Sequence, residues 1–151
     1  MAKETFLSSI YIVIRNAEGK VLLQRRQGTK LWPKFLAFPA GHIDEGEDAY
    51  EALTREAREE LNITVTKEDV MDTYVVCRKN KSLKSYYDVY FELKSYKGEI
   101  TINEPDKCAE LVWADLDHLP DDMVDFEKEA ILLNKKGIKF STVYADNEKK
   151  L

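Results

Sequence analysis

With 151 residues, the chain is long enough for one domain with a real core. Its formal charge of −5, from 23 Lys and Arg against 28 Asp and Glu, argues against broad electrostatic binding to nucleic acid, which needs basic surface. Nucleotides stay within reach, because bound metal ions neutralise phosphates locally.

Other exclusions are local. No apolar run approaches the ~20 residues of a membrane span, so no membrane partner is expected. The opening MAKETFLSSIY has an early acidic residue and no long apolar core, so it does not read as a signal peptide. Cys77 and Cys108 lack metal-ligand spacing and sit in apolar, strand-like runs. They read as buried reduced thiols rather than a disulfide. His42 and His118 do not make a histidine-rich metal site by themselves. A single cytoplasmic domain over residues 1–151 is expected.

Residues 5–15 (TFLSSIYIVIR) are rich in β-branched and aromatic side chains and predict a strand. Asn16 to Gly19 signals a turn, and Val21 to Arg26 reads as the returning strand, ending on Arg25 and Arg26. Residues 27–30 form a loop, residues 31–38 are aromatic and apolar around Pro33, and residues 39–47 read as a Gly-bounded loop. Asp48 with Glu51 three residues later is a capping box, and Asn62 is a helix stop, so a helix is predicted over residues 48–61. On a helical wheel, Ala49, Ala52, Leu53, Ala57 and Leu61 make an apolar stripe, while Glu51, Thr54, Arg55 and Arg58 face water. Glu56, Glu59 and Glu60 fall beside the stripe instead. Three carboxylates at such spacings repel one another, and half-buried charges are costly unless paired or bound to metal. A divalent cation held by oxygen ligands resolves both problems. The bland alternative is a solvated acidic face.

Residues 63–65 predict a short strand and residues 70–78 a longer one. Residues 79–84 read as a basic hairpin tip, a solvated turn more readily than a device for steering anions. Tyr86 to Leu93 is the partner strand, whose Tyr86, Tyr87 and Tyr90 either pack in the core, the favoured reading, or line a base pocket. A turn at residues 97–99 leads to EPDKCAELVW (residues 104–113), with Trp113 expected in the core. Leu119-Pro120 is a further turn. An amphipathic helix is predicted from Asp121 to about Lys136, stopped by Gly137 and packed opposite the first helix. Residues 138–144 read as a short docked extension and the polar tail from about 145 as frayed. The pattern alone supports α+β with a mixed sheet.

Gly41 to Ile63, GHIDEGEDAYEALTREAREELNI, closely resembles the Nudix box of the Nudix (MutT-like) hydrolases. Gly41, Glu47 and the run Arg55-Glu56-Ala57-Arg58-Glu59-Glu60-Leu61-Asn62-Ile63 stand at the motif's spacing, and every charged position is present. Ala57 replaces a larger aliphatic residue and Asn62 replaces Gly, although Asn tolerates the same left-handed backbone. Residues 104–113 are similar to a segment of Nudix enzymes that act on nucleotides.

The resemblance implies an α/β/α sandwich, with a mixed sheet between the box helix and a C-terminal helix. It implies that Glu56, Glu59 and Glu60 are metal carboxylates, one of them activating water, with the base left open among them. It adds the backbone carbonyl of Ala40 as a metal ligand, with Glu104, or second Glu110, completing the set. Glu47 and Arg55 would brace the loop at Gly41, and Arg25 or Arg26, neither preferred, would meet substrate phosphates. The implied reaction is metal-assisted hydrolysis of a phosphoanhydride, with Mg2+ or Mn2+ suited to hard oxygen ligands. The favoured substrates are nucleoside triphosphates, oxidised or noncanonical ones included. ADP-ribose or a nucleotide sugar is the alternative, and a non-catalytic nucleotide-binding module the alternative of another class. An RNA-end pyrophosphohydrolase is disfavoured by the acidic balance. The sequence leaves open the base, the number of metal ions and whether the chain forms a homodimer.

Overall fold

The computed structural model describes residues 1–145. Eight strands and two helices follow in chain order: β1 (Leu7–Ile14), β2 (Val21–Arg26), β3 (Leu36–Ala37), β4 (Ala40–His42), α1 (Ala49–Leu61), β5 (Val70–Lys79), β6 (Tyr86–Leu93), β7 (Cys108–Ala114), α2 (Asp125–Lys135) and β8 (Phe140–Tyr144). The larger sheet is mixed, in the order β4-β1-β6-β5-β8, with β1 parallel to β6 and β5 parallel to β8. The smaller, β3-β2-β7, is antiparallel. The α+β expectation holds.

Strand β1 explains the layering. Its residues alternate between faces, and both faces are covered, so it reads as a continuous apolar run. Ile10, Ile12 and Ile14 pack with Ala52, Leu53, Ala57 and Leu61 of α1. Tyr11 and Val13 pack with Phe126, Ala130 and Ile131 of α2. The two helices therefore lie on opposite faces of the large sheet, as predicted. On the α2 side, Tyr11, Tyr90 and Tyr74 sit opposite one another in register on β1, β6 and β5, with ring centroids 4.4 and 4.8 Å apart. Tyr90 is thus core. Tyr87 is exposed against Phe6, and Tyr86 lines a cavity.

Helix α1 has the predicted ends. The Asp48 side chain accepts from the Glu51 N–H while the Glu51 carboxylate accepts from the Asp48 N–H, and Asn62 closes the helix at φ +58°. Other boundaries differ. Ala40 to His42 is a strand, not a loop, because it pairs with β1 at Tyr11, Ile10 and Ser9. Residues 63–65 make only a single bridge, Thr64 to Lys97. Helix α2 starts four residues later than Asp121, because the Asp122 carbonyl accepts from the Leu36 N–H and the Val124 N–H donates to the Leu36 carbonyl. That exchange holds the segment extended beside β3. Trp113 is exposed rather than core, since on the outermost strand of the small sheet Val112 and Ala114 take the inward positions. Ala145 is buried, its N–H donating to the Lys79 carbonyl; the rest of the expected tail lies outside the described residues. Among the described residues, no helix is long and apolar enough to cross a membrane.

Candidate active site

The pairing of β4 with β1 presses three residues of backbone against the acidic side of α1. There the Glu60 Oε2 accepts the Ala40 N–H at 3.0 Å. The Glu56 carboxyl lies so close over Gly41 that a Cβ at that glycine would come within 2.1 Å of it. Arg55 gathers the rest. Its guanidinium donates to both Glu47 oxygens at 2.7 and 2.9 Å, to the His42 carbonyl at 2.9 Å, to Glu56 at 2.6 Å and to Glu59 at 3.2 Å. The expected Arg55–Glu47 pair is present, and Arg55, only partly exposed, is drawn in among carboxylates rather than turned to water as the wheel suggested. Glu59 also departs from expectation: it is half exposed at the rim, whereas Glu56 is buried.

The electrostatics follow this geometry. Burial, then the charge of Glu56, pushes the Glu60 carboxyl well above the usual range, and the Ala40 N–H opposes them. Burial also raises Glu56, with Arg55 pulling it back. The hydrogen bonds from Arg55 hold Glu47 down at about 2. Glu104 adds its charge to both Glu56 and Glu60, whereas Glu110 is turned to Arg25 at 2.9 Å. Of the two downstream candidates, Glu104 is the one brought to the box.

Among the described residues no three acidic, His or Cys side chains are already gathered as a metal cage. Arg55 holds Glu56 and Glu59, and Ala40 holds Glu60. The donor set nonetheless fits a hard divalent cation: several carboxylate oxygens, partly buried and mutually repelling, with no soft ligand among them.

The two candidate arginines separate. Arg25 is taken up by Glu110, Asp122 and the Lys34 carbonyl. Arg26, on the other face of β2, donates to the Leu31 carbonyl and lines two cavities. The larger, about 320 Å³, is walled by Trp32, Arg78, Tyr86, Phe126 and Glu127. The smaller, about 90 Å³, reaches Glu60 and Lys107. Both share Arg26, Phe38 and Ala40. Sequence reasoning missed Trp32, Arg78 and Glu127 and took in Lys107 only as part of residues 104–113; the signal for Glu127 was an acidic residue on the inward face of α2 beside Phe126.

Two outcomes follow. Arg55→Lys should weaken divalent-cation binding about 10- to 100-fold, because a point charge cannot hold Glu47 through two bonds and still reach Glu56 and His42. Thermal melts should show a loss of about 2 kcal/mol as Glu56 loses the charged hydrogen bond from the guanidinium. Glu127, 3 % exposed, is pushed up to about 8 by burial. A carboxyl raised on folding stabilises below its unfolded pKa and loses that contribution as pH rises through the folded one. Wild-type stability should therefore fall between about pH 4.5 and 8 by up to about 5 kcal/mol relative to Glu127→Gln, measured by urea unfolding of both proteins across that range.

A family model described as the NUDIX domain matches residues 5–133. The chain is 41% identical over 58 residues to an RNA pyrophosphohydrolase of Shewanella piezotolerans, a match covering 38% of this chain and 31% of that protein. It thus spans about a third of the length of the curated relatives it matches. Among solved structures it is similar to a MutT NUDIX hydrolase from Burkholderia pseudomallei, with TM-score 0.69, 22% identity and coverage of 85% of this chain and 98% of that one. It is also similar to an ADP-ribose pyrophosphatase from Streptococcus suis, with TM-score 0.62, 16% identity and coverage of 92% and 100%. At these identities the two structures speak to the fold.

Proposed function

The chain belongs to the NUDIX-domain family, and from that premise we propose that it is a metal-dependent pyrophosphohydrolase acting on nucleoside triphosphates. One observation carries the reading: a partly buried, mutually repelling carboxylate cluster reaches, through Glu60, a small cavity lined by Arg26 and Lys107 that shares Arg26 with a larger aromatic one. That layout suits phosphates at one end and a flat ring at the other.

Glu56, Glu59, Glu60, Glu104 and the Ala40 carbonyl are the groups that would hold magnesium or manganese. The bound cation supplies polarisation of the phosphoryl oxygens and a lowered pKa for water. A box carboxylate takes the proton of the attacking water as its oxygen bonds to phosphorus. Arg26 and Lys107 neutralise the phosphates, and the anhydride bond breaks with pyrophosphate leaving as an anion. Arg55 keeps Glu47, Glu56 and Glu59 at fixed angles throughout.

The test is a turnover screen with magnesium or manganese, with and without chelator. Its panel holds ordinary and oxidised nucleoside triphosphates, ADP-ribose, nucleotide sugars and a 5′-triphosphorylated RNA. Release of pyrophosphate and a monophosphate from the free triphosphates, lost on chelation, is the expected result. Turnover confined to ADP-ribose or sugars moves the substrate class. Turnover confined to RNA favours the activity for which the curated relatives are named. No turnover, with a nucleotide still raising the melting temperature, replaces the enzyme reading with a binding module.

A further inference from the structure

Helix α1 carries the box glutamates and ends at Leu61, so the carbonyls of Arg58, Glu59, Glu60 and Leu61 find no acceptor's partner within its regular ladder. Arg58 is served by the helix's own stop, the Asn62 N–H at 3.1 Å. The other three are served from far along the chain, by the segment before β7. The Thr101 N–H donates to the Leu61 carbonyl at 3.0 Å and the Asn103 N–H to the Glu60 carbonyl at 3.2 Å. The Asn103 side-chain amide donates to the Glu59 carbonyl at 3.0 Å and reaches the Arg58 carbonyl at 3.4 Å. Glu59 and Glu60 are therefore used twice. Their carboxylates belong to the acidic cluster, and their carbonyls anchor the residue next to Glu104.

The chain after Glu104 is tied down as well. The Glu104 carbonyl accepts the Lys107 and Cys108 N–H groups, both at 3.0 Å, which closes a tight turn. Gln27, just past β2, donates its N–H to the Lys107 carbonyl at 3.0 Å and its side-chain amide to the Pro105 carbonyl. Gly28 then runs so close that a Cβ there would stand 2.7 Å from the Asp106 carbonyl oxygen. Residues 104–107 lie outside every helix and strand, so these bonds, and not a ladder, set where they sit. Glu104 itself is partly exposed, with the Lys107 Nζ 3.6 Å from its Oε2.

Resting on the metal-dependent reading above, we infer that Asn103 and Gln27 are positioning residues: one on each side, they hold Glu104 at the box so that its carboxylate joins those of α1 around a divalent cation. Neither residue touches the cation; each acts through Glu104. The affinity of an oxygen-ligand site depends on how many charged ligands it has and how rigidly they stand. A carboxylate on a free loop must be ordered each time the cation binds, which weakens binding. One already fixed by its neighbours does not carry that cost. The choice of Asn at 103 fits the task, because its amide N–H groups donate at the end of a helix where carbonyls collect negative charge. Its neighbour Glu104 needs that anchor, since its own charge is repelled by Glu56 and Glu60.

The experiment titrates Mn2+ into the full chain by calorimetry, for the wild type, Asn103→Ala, Gln27→Met, Glu104→Gln and the double variant carrying Asn103→Ala and Glu104→Gln. Asn103→Ala and Gln27→Met should each weaken Mn2+ binding about tenfold, and Glu104→Gln at least as much. The double variant should bind no more weakly than Glu104→Gln alone, because Asn103 then has no ligand left to position. Gln27→Met keeps the length of the side chain and loses only the donor, at a place remote from the helix end. All five proteins should melt cooperatively in chelator, so that the losses read affinity and not folding. Should Asn103→Ala lose its fold, Gln27→Met in the wild-type and Glu104→Gln backgrounds reads the same coupling. Independent losses, with Asn103→Ala costing as much in the Glu104→Gln background as in the wild type, overturn the proposal and leave Asn103 a helix cap only. So does an unaltered affinity in Asn103→Ala, Gln27→Met or Glu104→Gln, or no Mn2+ binding by the wild type. Triphosphate turnover with independent losses sinks this proposal alone; coupled losses without any turnover sink the hydrolase reading alone.

Discussion

Glu60→Gln should cost about 10³-fold in kcat and at the same time raise the melting temperature of the metal-free protein. The first effect follows from the proposed role: Gln keeps the shape and the bond from Ala40 but surrenders the charge that a cation or a departing proton needs. The second follows from burial. Glu60 is partly buried, beside Glu56 and within the field of Glu104, so its ionised form is penalised by lost hydration and by two like charges. A neutral amide removes that penalty. Gains in stability from neutralising a functional site are a recognised trade-off. Turnover with magnesium and melting in chelator measure the two halves; a Gln variant that keeps activity, or melts lower, contradicts the assignment.

Gly41→Ala should be nearly as damaging by a different route. No positive φ is recorded there, so the requirement is space rather than backbone freedom. A methyl would stand 2.1 Å from the Glu56 carboxyl carbon and from one of its oxygens. The carboxyl cannot swing away cheaply, since Arg55 holds it at 2.6 Å. Nor can Gly41 retreat, being paired with Ile10 of β1. Overpacking of this kind costs about 1–3 kcal/mol, and displacement of Glu56 should lower kcat about 100-fold or more. Glu56→Ala in the Gly41→Ala background should recover the melting temperature but not the activity, a coupling that a double-mutant cycle reads directly. Additive effects of the two changes show that the methyl and the carboxyl do not meet.

Much of this fold was legible in the sequence. Helix α1 declares both ends through local chemistry, Asp48 with Glu51 and then Asn62, and local chemistry is what a sequence displays. Strands β2 and β6 are visible for the same reason. Strand β4 is not, because three residues including a glycine have no strand preference of their own and become a strand only through pairing with β1. Trp113 misled because aromatic bulk suggests burial, while its exposure is set by which neighbour lies outermost. At the site, Glu104 and Glu110 are alike in type and near in sequence, and only the turn of the chain gives one to the box and the other to Arg25. Arg55 looked solvated because a wheel shows one helix, whereas Glu47 and the His42 carbonyl arrive from the loop and strand before it.

Ala40 takes part in both halves of the cleft: its N–H holds Glu60, and it lines the larger cavity as well as the smaller. On the proposed reading, the strand that carries Ala40 spans both ends, and they form a gauge of fixed length. A nucleotide is then measured as much as it is recognised: ring and anhydride must be spaced to match one short strand, and a molecule with the right parts at the wrong interval presents the wrong bond.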